Sequence, residues 1–283
     1  MLPPPHTLAR GDFEMVVRRL ADDLAFGADN SLFVGGGLEY ASSRPYQPGD
    51  SVRALNWRLT ARTGRPFVKE YEALKRTCVY LVVDTSASMA VASTALSKHD
   101  VAVWVAAAVG LLAQRRLSPV AILGAGERTT PLYPSLLSND LWHALDPLRA
   151  HAFAEGTHLS RRLSDLGDRA ARRSVFLIIS DLHDPGALGA VRHAAQKHEC
   201  AVLHTIDPAE GGRLGAGFFR GREAETGATF LAHSRAAWDR SASLQDELAR
   251  SCVDYLPLRT GESFIAPLRR FLSTRGRASR GSR

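Results

Sequence analysis

The sequence predicts a doubly wound α/β fold with a mostly parallel sheet, and three observations support this prediction. Residues 79–83 and 175–180 are short apolar runs rich in β-branched side chains, which is typical of strands buried on both faces. Further apolar runs alternate with segments of helical period from residue 78 onward. A longer apolar run, residues 101–113, indicates a buried helix between two of the strands.

The elements follow in order from the same patterns. A helical period opens the chain, with apolar residues at three- and four-residue steps: Phe13, Val16, Val17, Leu20 and Leu24. This first helix is expected to end near Gly27 and to lay one face on the main domain. The later predicted strands are 67–71, 79–83, 120–123, 129–133 (a hairpin edge), 175–180, 201–206, 218–220 paired with 229–231, and 254–258. The later predicted helices are 98–115, 139–149, one ending near 169, 187–197, 235–251 and 263–274.

This order divides the chain into three parts. Residues 1–77 form an N-terminal extension with one helix, a turn-rich segment and a strand, residues 78–274 form the α/β domain, and residues 275–283 form a basic, disordered tail.

Of the net charge of +7, six units come from arginines between positions 269 and 283, where no acid occurs. Such a tail could touch anionic lipid, so peripheral membrane contact stays open. It has no aromatic residues for base stacking, which argues against nucleic acid.

The composition is that of a globular protein, with 45% hydrophobic and 23% charged residues. The longest apolar run has 13 residues, and roughly 20 are needed to span a bilayer. The first residues lack the basic and apolar segments of a secretory signal. Cys78, Cys200 and Cys252 are far apart in apolar segments, as expected of reduced cysteines. These features predict a cytoplasmic protein without a transmembrane segment.

The clearest indication of a binding site comes directly after the first buried strand, in Asp84, Ser86 and Ser88. In open α/β sheets, ligands bind in the crevice beyond the carboxyl ends of the strands. One carboxylate and two hydroxyls suit a hard cation such as Mg²⁺ or Mn²⁺. Alternatively, the same side chains could cap the helix that follows, since aspartate and serine are good N-caps.

This loop and its strand resemble the opening of a von Willebrand factor type A domain, which has a metal-ion-dependent adhesion site. The family's site adds a distant threonine and a distant aspartate, for which this chain offers Thr157 and Asp181 in the required order. The resemblance implies a Rossmann-like fold and a bound Mg²⁺ (or Mn²⁺ or Ca²⁺). It implies that Ser86 and Ser88 are direct ligands, that Asp84 and Asp181 act largely through water, and that Thr157 contacts the ion in only some conformations.

A second resemblance lies upstream, in the pattern Y-x-P-G-D-x-x-R-x-x-x-W followed by A-R-T-G and V-K-x-Y-E. Directly before a type A domain, this pattern is similar to the DUF58 family, bacterial proteins commonly encoded beside MoxR-type AAA+ ATPases. The family usually has an acid where this chain has Asn56. The motif residues either contact a partner or serve as a turn, a surface ion pair and a core aromatic: Tyr46, Gly49, Asp50, Arg53 and Trp57.

Together, the resemblance and the oxygen-only site predict a non-enzymatic, metal-dependent adaptor or co-chaperone. It would join a MoxR-type ATPase to a client protein and bind a partner carboxylate through its metal. The alternative is a Mg²⁺- or Mn²⁺-dependent hydrolase of phosphatase type. Against it, Ser86 stands where a second carboxylate would be expected, and no G-x-S-x-G elbow occurs. No P-loop motif follows the glycine triplet at 35–37, so the chain is not itself a P-loop ATPase.

Overall fold

The computed structural model describes residues 2–26, 38–73, 77–90, 92–126, 133–150, 156, 158–170, 172–211, 218–222, 229–233 and 241–281. The helices are α1 (Arg10–Ala25), α2 (Trp57–Thr63), α3 (Lys98–Arg115), α4 (Ser138–Arg149), α5 (Leu159–Arg169), α6 (Ala187–Ala195), α7 (Ser241–Ala249) and α8 (Ile265–Gly281). The strands are β1 (Leu38–Pro45), β2 (Phe67–Ala73), β3 (Val79–Val83), β4 (Val120–Gly124), β5 (Val175–Ser180), β6 (Glu199–Ile206), β7 (Phe218–Arg222), β8 (Thr229–His233) and β9 (Asp254–Arg259).

The centre of the molecule is a five-stranded sheet in the order β4-β3-β5-β6-β9. All four pairings in it are parallel. The chain first moves from β3 to β4 on one side and then returns to place β5 on the other side of β3. The strand order therefore reverses between β3 and β5, which makes their carboxyl ends the topological switch point of the sheet.

Helices cover both faces of this sheet, as the sequence predicts for a doubly wound fold. Alternate residues of β3 enter opposite cores, because successive side chains of a strand point to opposite faces. Val79, Leu81 and Val83 pack with α1, α3, α4 and α8. Tyr80 and Val82 pack with α5, α6 and one residue of α7.

Helix α3 is the central helix of the first face, and nearly all of its residues are buried. A capping box starts it, in which Ser97 and Asp100 each accept a hydrogen bond from the other's backbone N–H. Gly110 allows α4 to approach closely, since a Cβ there would lie 2.8 Å from a methyl group of Leu141. The first residue of the helix, Lys98, has a fully buried side chain.

Helix α1 packs into the same core, although it precedes the α/β domain in sequence. Phe13 is 1% exposed and lies against Trp104 of α3, with 4.9 Å between ring centroids. The guanidinium of Arg149 lies 4.3 Å above the Phe13 ring centroid. The indole N–H of Trp104 donates to the carbonyl of Pro3 at 3.0 Å. The N-terminal residues are thus part of the main core, whereas β1 and β2 pair with each other as a separate antiparallel sheet.

Most predicted elements of the α/β domain agree with the structure to within a few residues at each end, and β7 and β8 form the expected antiparallel pair. Most of the predicted edge strand 129–133 and the first part of the predicted helix 235–251 lie outside the described residues. A difference concerns the basic tail, because α8 continues to Gly281 where the sequence predicts disorder from residue 275. Arginine and alanine, which are strong helix formers, make up most of that extension. Within the described part of the chain, we find no helix long and apolar enough to cross a membrane.

Candidate metal centre

The switch point places the predicted loop and the predicted distant aspartate side by side. Asp84 follows β3 and Asp181 follows β5, and the two strands are hydrogen-bonded neighbours. The backbone N–H of Asp84 donates to the carbonyl of Ile179 at 2.9 Å, which extends the strand pairing up to the site. Two carboxylates about 100 residues apart in sequence therefore meet because parallel strands present their carboxyl ends at one edge.

Asp84 is wholly buried and held by hydrogen bonds on both of its carboxylate oxygens. The hydroxyl of Ser180 donates to Oδ2 at 2.6 Å, and the backbone N–H of Ser86 donates to Oδ1 at 3.0 Å. Burial, with a further contribution from the negative charge of Asp181, raises the pKa of Asp84 to about 6. Asp84 is thus a buried carboxylate whose negative charge the protein compensates only in part.

The two loop serines present their hydroxyls together. The Oγ atoms of Ser86 and Ser88 lie 3.0 Å apart, with Ser86 buried and Ser88 half-buried. Adjacent ligands of an octahedral Mg²⁺ with bonds of 2.0–2.1 Å are separated by about 3 Å. The spacing of the hydroxyls, and the carboxylate two residues before them, therefore fit the neighbouring ligand positions of such an ion.

Asp181 has partners of a different kind. Its Oδ2 lies 2.7 Å from the ammonium nitrogen of Lys98 and 2.8 Å from Nδ1 of His183, and all three side chains belong to the same cluster. Burial alone would raise the pKa of Asp181, but the hydrogen bond from His183 and the charge of Lys98 outweigh it and hold that pKa well below its usual range. In turn, the hydrogen bond to Asp181 raises the pKa of His183.

Lys98 completes the cluster from the start of α3. Its ammonium group also forms an ion pair with Glu210, and its side chain is fully buried. Burial would lower the pKa of Lys98, yet the two carboxylates more than compensate, and the pKa lies above its ordinary value. Asp181, His183 and Glu210 bring carboxylate and imidazole ligand atoms within 4.8 Å of one another, but the ammonium of Lys98 already contacts both carboxylates.

Asp207, directly after β6, holds the loop that leads into α3 by hydrogen bonds. Asp207 accepts hydrogen bonds from the backbone and hydroxyl of Ser93 and from the hydroxyl of Thr260, and it is wholly buried. Although burial opposes it, these hydrogen bonds lower the pKa of Asp207. Asp207 thereby positions the segment that precedes α3, and with it Lys98, the first residue of that helix.

The turn after β5 has a constrained backbone. Leu182 has a φ of 55°, in the left-handed region that residues other than glycine rarely adopt. Two hydrogen bonds hold it there: the N–H of Leu182 donates to Ser180 Oγ at 2.8 Å, and the N–H of His183 donates to Asp181 Oδ1 at 3.2 Å. This turn orients the Asp181 carboxylate toward Lys98.

The structure therefore brings Asp84, Ser86, Ser88 and Asp181 together. Thr157 lies outside the described residues, and its role stays a prediction. The alternative reading of the aspartates and serines as simple helix caps does not apply to α3 and α6, because Ser97 caps α3 and no side chain caps α6.

The five motif residues of the second resemblance lie in the separate unit built on β1 and β2. Asp50 accepts two hydrogen bonds of 2.7 Å from the guanidinium of Arg44, whose contact lowers the pKa of Asp50 to about 2. Gly49 has a φ of 109°, so the turn before Asp50 requires glycine. Arg53 is exposed and Tyr46 is 37% exposed. Trp57 is 64% exposed, so the expectation of a core aromatic at this position is wrong.

Sequence reasoning missed Lys98, Glu210 and Asp207. One signal was available for Lys98, since a cation at the start of an otherwise apolar helix opposes the helix dipole and needs a partner. Glu210 and Asp207 gave no local signal. They follow β6 as Asp84 follows β3, and only the strand order shows that they lie near the same edge of the sheet.

Comparison with known proteins gives the family. A family model described as "Protein of unknown function DUF58" matches residues 42–247. The uncharacterized proteins Rv1480 of Mycobacterium tuberculosis and Mb1516 of Mycobacterium bovis are each 27% identical to this chain, over 97% of it and 95% of their own length. Among solved structures, the conserved hypothetical protein BatB from Bacteroides thetaiotaomicron is similar, with 17% identity and a TM-score of 0.46 over 71% of this chain and 99% of its own. Since the family model covers well over half of the chain, this protein belongs to the DUF58 family.

Proposed function

We propose that this chain is a non-enzymatic protein-binding module of the cytoplasm whose site holds Mg²⁺, Mn²⁺ or Ca²⁺. The supporting observation is that Asp84 and the hydroxyls of Ser86 and Ser88, 3.0 Å apart, meet at the switch point of the sheet. Asp181 and, by resemblance to type A domains, Thr157 belong to the same site. A cation held by one carboxylate and neutral hydroxyls keeps much of its positive charge and can accept a carboxylate from a partner protein.

The proposed partner is a MoxR-type AAA+ ATPase, with this chain as the adaptor that joins it to a client protein. Membership of the DUF58 family supports this partner, through the resemblance described above. A second surface is available for one of the two contacts, because Trp57 and Val52 are 64% and 62% exposed. Exposed arginines at positions 53, 58, 62 and 65 adjoin them in sequence, and no acidic residue occurs between 51 and 69. Tryptophan and arginine are enriched in binding hot spots.

The test is direct binding between the purified chain and the MoxR-type ATPase of the same organism, followed by surface plasmon resonance. We expect binding in Mg²⁺, and at least a tenfold loss either with a chelator or in Asp84→Ala, because the partner carboxylate then has no cation to bind. Asp165→Ala, which removes an exposed carboxylate of α5, is the matched control and should bind as the wild type does.

The outcomes separate the two parts of the proposal. Equal binding in all three conditions would retain the adaptor role and eliminate the metal, and Trp57→Ala would then be expected to abolish the interaction. If the ATPase binds in none of them, the proposed partner is wrong.

A metal-dependent hydrolase is the second candidate, and one observation favours it. His183 is 46% exposed and pairs with Asp181 at 2.8 Å, an arrangement that can hold a general base beside a metal. Hydrolysis of p-nitrophenyl phosphate with Mn²⁺ checks this candidate. Turnover that disappears in both Asp84→Ala and His183→Ala would replace the binding module with an enzyme.

A further inference from the structure

Burying the charged side chain of Lys98 at this position is energetically costly. Its ammonium group is fully buried, and removing an ion from water costs several kcal/mol before any partner is found. It also stands at the first position of α3, where the helix dipole disfavours positive charge. An uncharged residue could start the helix equally well, since Ser97 and Asp100 already form the cap. The charge of Lys98 therefore calls for an explanation in the site itself.

The explanation begins with the charges that surround the proposed metal. Asp84, Asp181 and Glu210 are acidic, and Lys98 is the cation that pairs with the last two. Three carboxylates and one ammonium leave two net negative charges on this group of four. A divalent cation neutralises them. His183 touches Asp181 and faces the same group, to which its neutral ring adds no charge.

The effect of Lys98 follows from the alternative without it. The same three carboxylates would then carry three negative charges, and a divalent cation would leave one of them uncompensated. A site with a net negative charge repels an anionic ligand from the metal's open position. With Lys98 present, the loaded site is neutral, and a carboxylate can bind the metal without that repulsion.

We propose that Lys98 is a specificity-determining residue, whose ammonium group weakens the affinity of the site for metal and removes the net negative charge that the loaded site would otherwise carry, so that the site accepts an anionic ligand. This inference rests on the proposed function, because it assumes that the site binds a divalent cation. The ligand that the site admits is a carboxylate, such as an aspartate or glutamate side chain of a protein partner.

Two substitutions with opposite expected effects test the proposal. Lys98→Met removes the positive charge and keeps much of the side chain's length, so Mn²⁺ should bind roughly tenfold more tightly and acetate should bind the loaded protein roughly tenfold more weakly. Glu210→Gln removes a negative charge from a residue that is not among the proposed ligands. Mn²⁺ should then bind more weakly and acetate more tightly, each again by about tenfold.

Both quantities can be measured on the full chain without any partner. Free Mn²⁺ is followed by electron paramagnetic resonance during a titration, and acetate binding by the fall in water proton relaxation as it displaces water from the bound ion. Arg115→Gln is the matched control: Arg115 is on the same helix, 17 residues from Lys98, which corresponds to about 26 Å along the axis. It should change neither constant.

Each result bears on one of the two proposals. Absence of Mn²⁺ binding in the wild type overturns the proposed function and this inference with it. Binding by the wild type with acetate affinity unchanged in both variants overturns the inference alone. So does a change in the same direction in both variants, which indicates damage to the fold. If Lys98→Met does not fold, Glu210→Gln decides the question on its own.

Discussion

At the residue scale, the site shows how two identical side chains acquire opposite properties from their surroundings. Asp84 and Asp181 are both buried aspartates at the ends of neighbouring strands. Burial raises the pKa of Asp84 to about 6, whereas His183 and Lys98 hold the pKa of Asp181 below its usual range. An added cation would therefore stabilise the carboxylate of Asp84 more than that of Asp181, which is already paired with the ammonium group of Lys98. In the proposed site, the D-x-S-x-S loop would therefore contact the metal, whereas Lys98 of α3 supplies a fixed positive charge.

A pH prediction concerns His198, which lies in the core away from this site. Its ring stacks on Phe176 with centroids 4.5 Å apart, and burial lowers its pKa. The unfolded chain therefore binds the proton more readily than the folded one. The stability that the neutral ring contributes is present above the unfolded pKa of about 6.5 and is lost as the pH falls through that value toward the folded pKa.

The measurement is urea unfolding between pH 8 and pH 5 for the wild type and His198→Gln. Glutamine offers an acceptor and a donor for the N–H of Ser174 and the carbonyl of Gly167, the present partners of the ring. The variant should lose less stability on acidification than the wild type. Removal of the exposed His193 controls for the loss of a histidine, and identical slopes for wild type and His198→Gln would contradict the prediction.

At the element scale, α2 shows what Asn56 does in place of the acid that the family usually carries. The side chain of Asn56 caps the helix by accepting the N–H of Leu59 at 3.2 Å, and it donates to the hydroxyl of Ser43 at 3.0 Å. An aspartate could make the same cap and would interact favourably with the helix dipole. The departure from the family pattern thus leaves the local structure intact.

We expect Asn56→Ala to destabilise α2 by about 1 kcal/mol, and Asn56→Asp to change it by less than about half of that. Hydrogen exchange of the α2 amides measures this local opening, and about 1 kcal/mol corresponds to roughly fivefold faster exchange. Equal acceleration in the two variants would show that the bond to Ser43, not the cap, holds the helix.

The helices and strands also show which structural features can be predicted from sequence patterns and which cannot. Strands β3 and β5 and helix α3 could be predicted because each is a continuous apolar run whose length decides its type. The pairing of Lys98 with Glu210 could not, because it joins residues 112 positions apart and depends on the order of strands in the sheet. The residue type of Trp57 left a core position and a partner contact both open, because its exposure depends on what covers α2, which no local pattern reports.

At the scale of the whole molecule, the structure places α1 within the main core, although the sequence division puts it in an N-terminal extension. We expect Phe13→Ala to lower the free energy of unfolding by about 3–5 kcal/mol, because the ring is buried between Trp104 and the guanidinium of Arg149. Met15, which is 49% exposed on the same helix, is the control, and Met15→Ala should cost less than about 1 kcal/mol. Urea unfolding of the full chain measures both, and equal small effects would mean that α1 does not belong to this core.

The ion pair between Lys98 and Asp181 also bears on the order of events when the protein is made in the cell. Many small metal proteins fold only when the ion arrives, because their ligands repel one another without it. Here the ammonium group already links the start of α3 to the end of β5. The newly synthesised chain carries its own counter-ion, so it can complete its fold before any metal arrives. If the site holds a metal as proposed, its occupancy would be a reversible signal about the surroundings instead of a condition for folding.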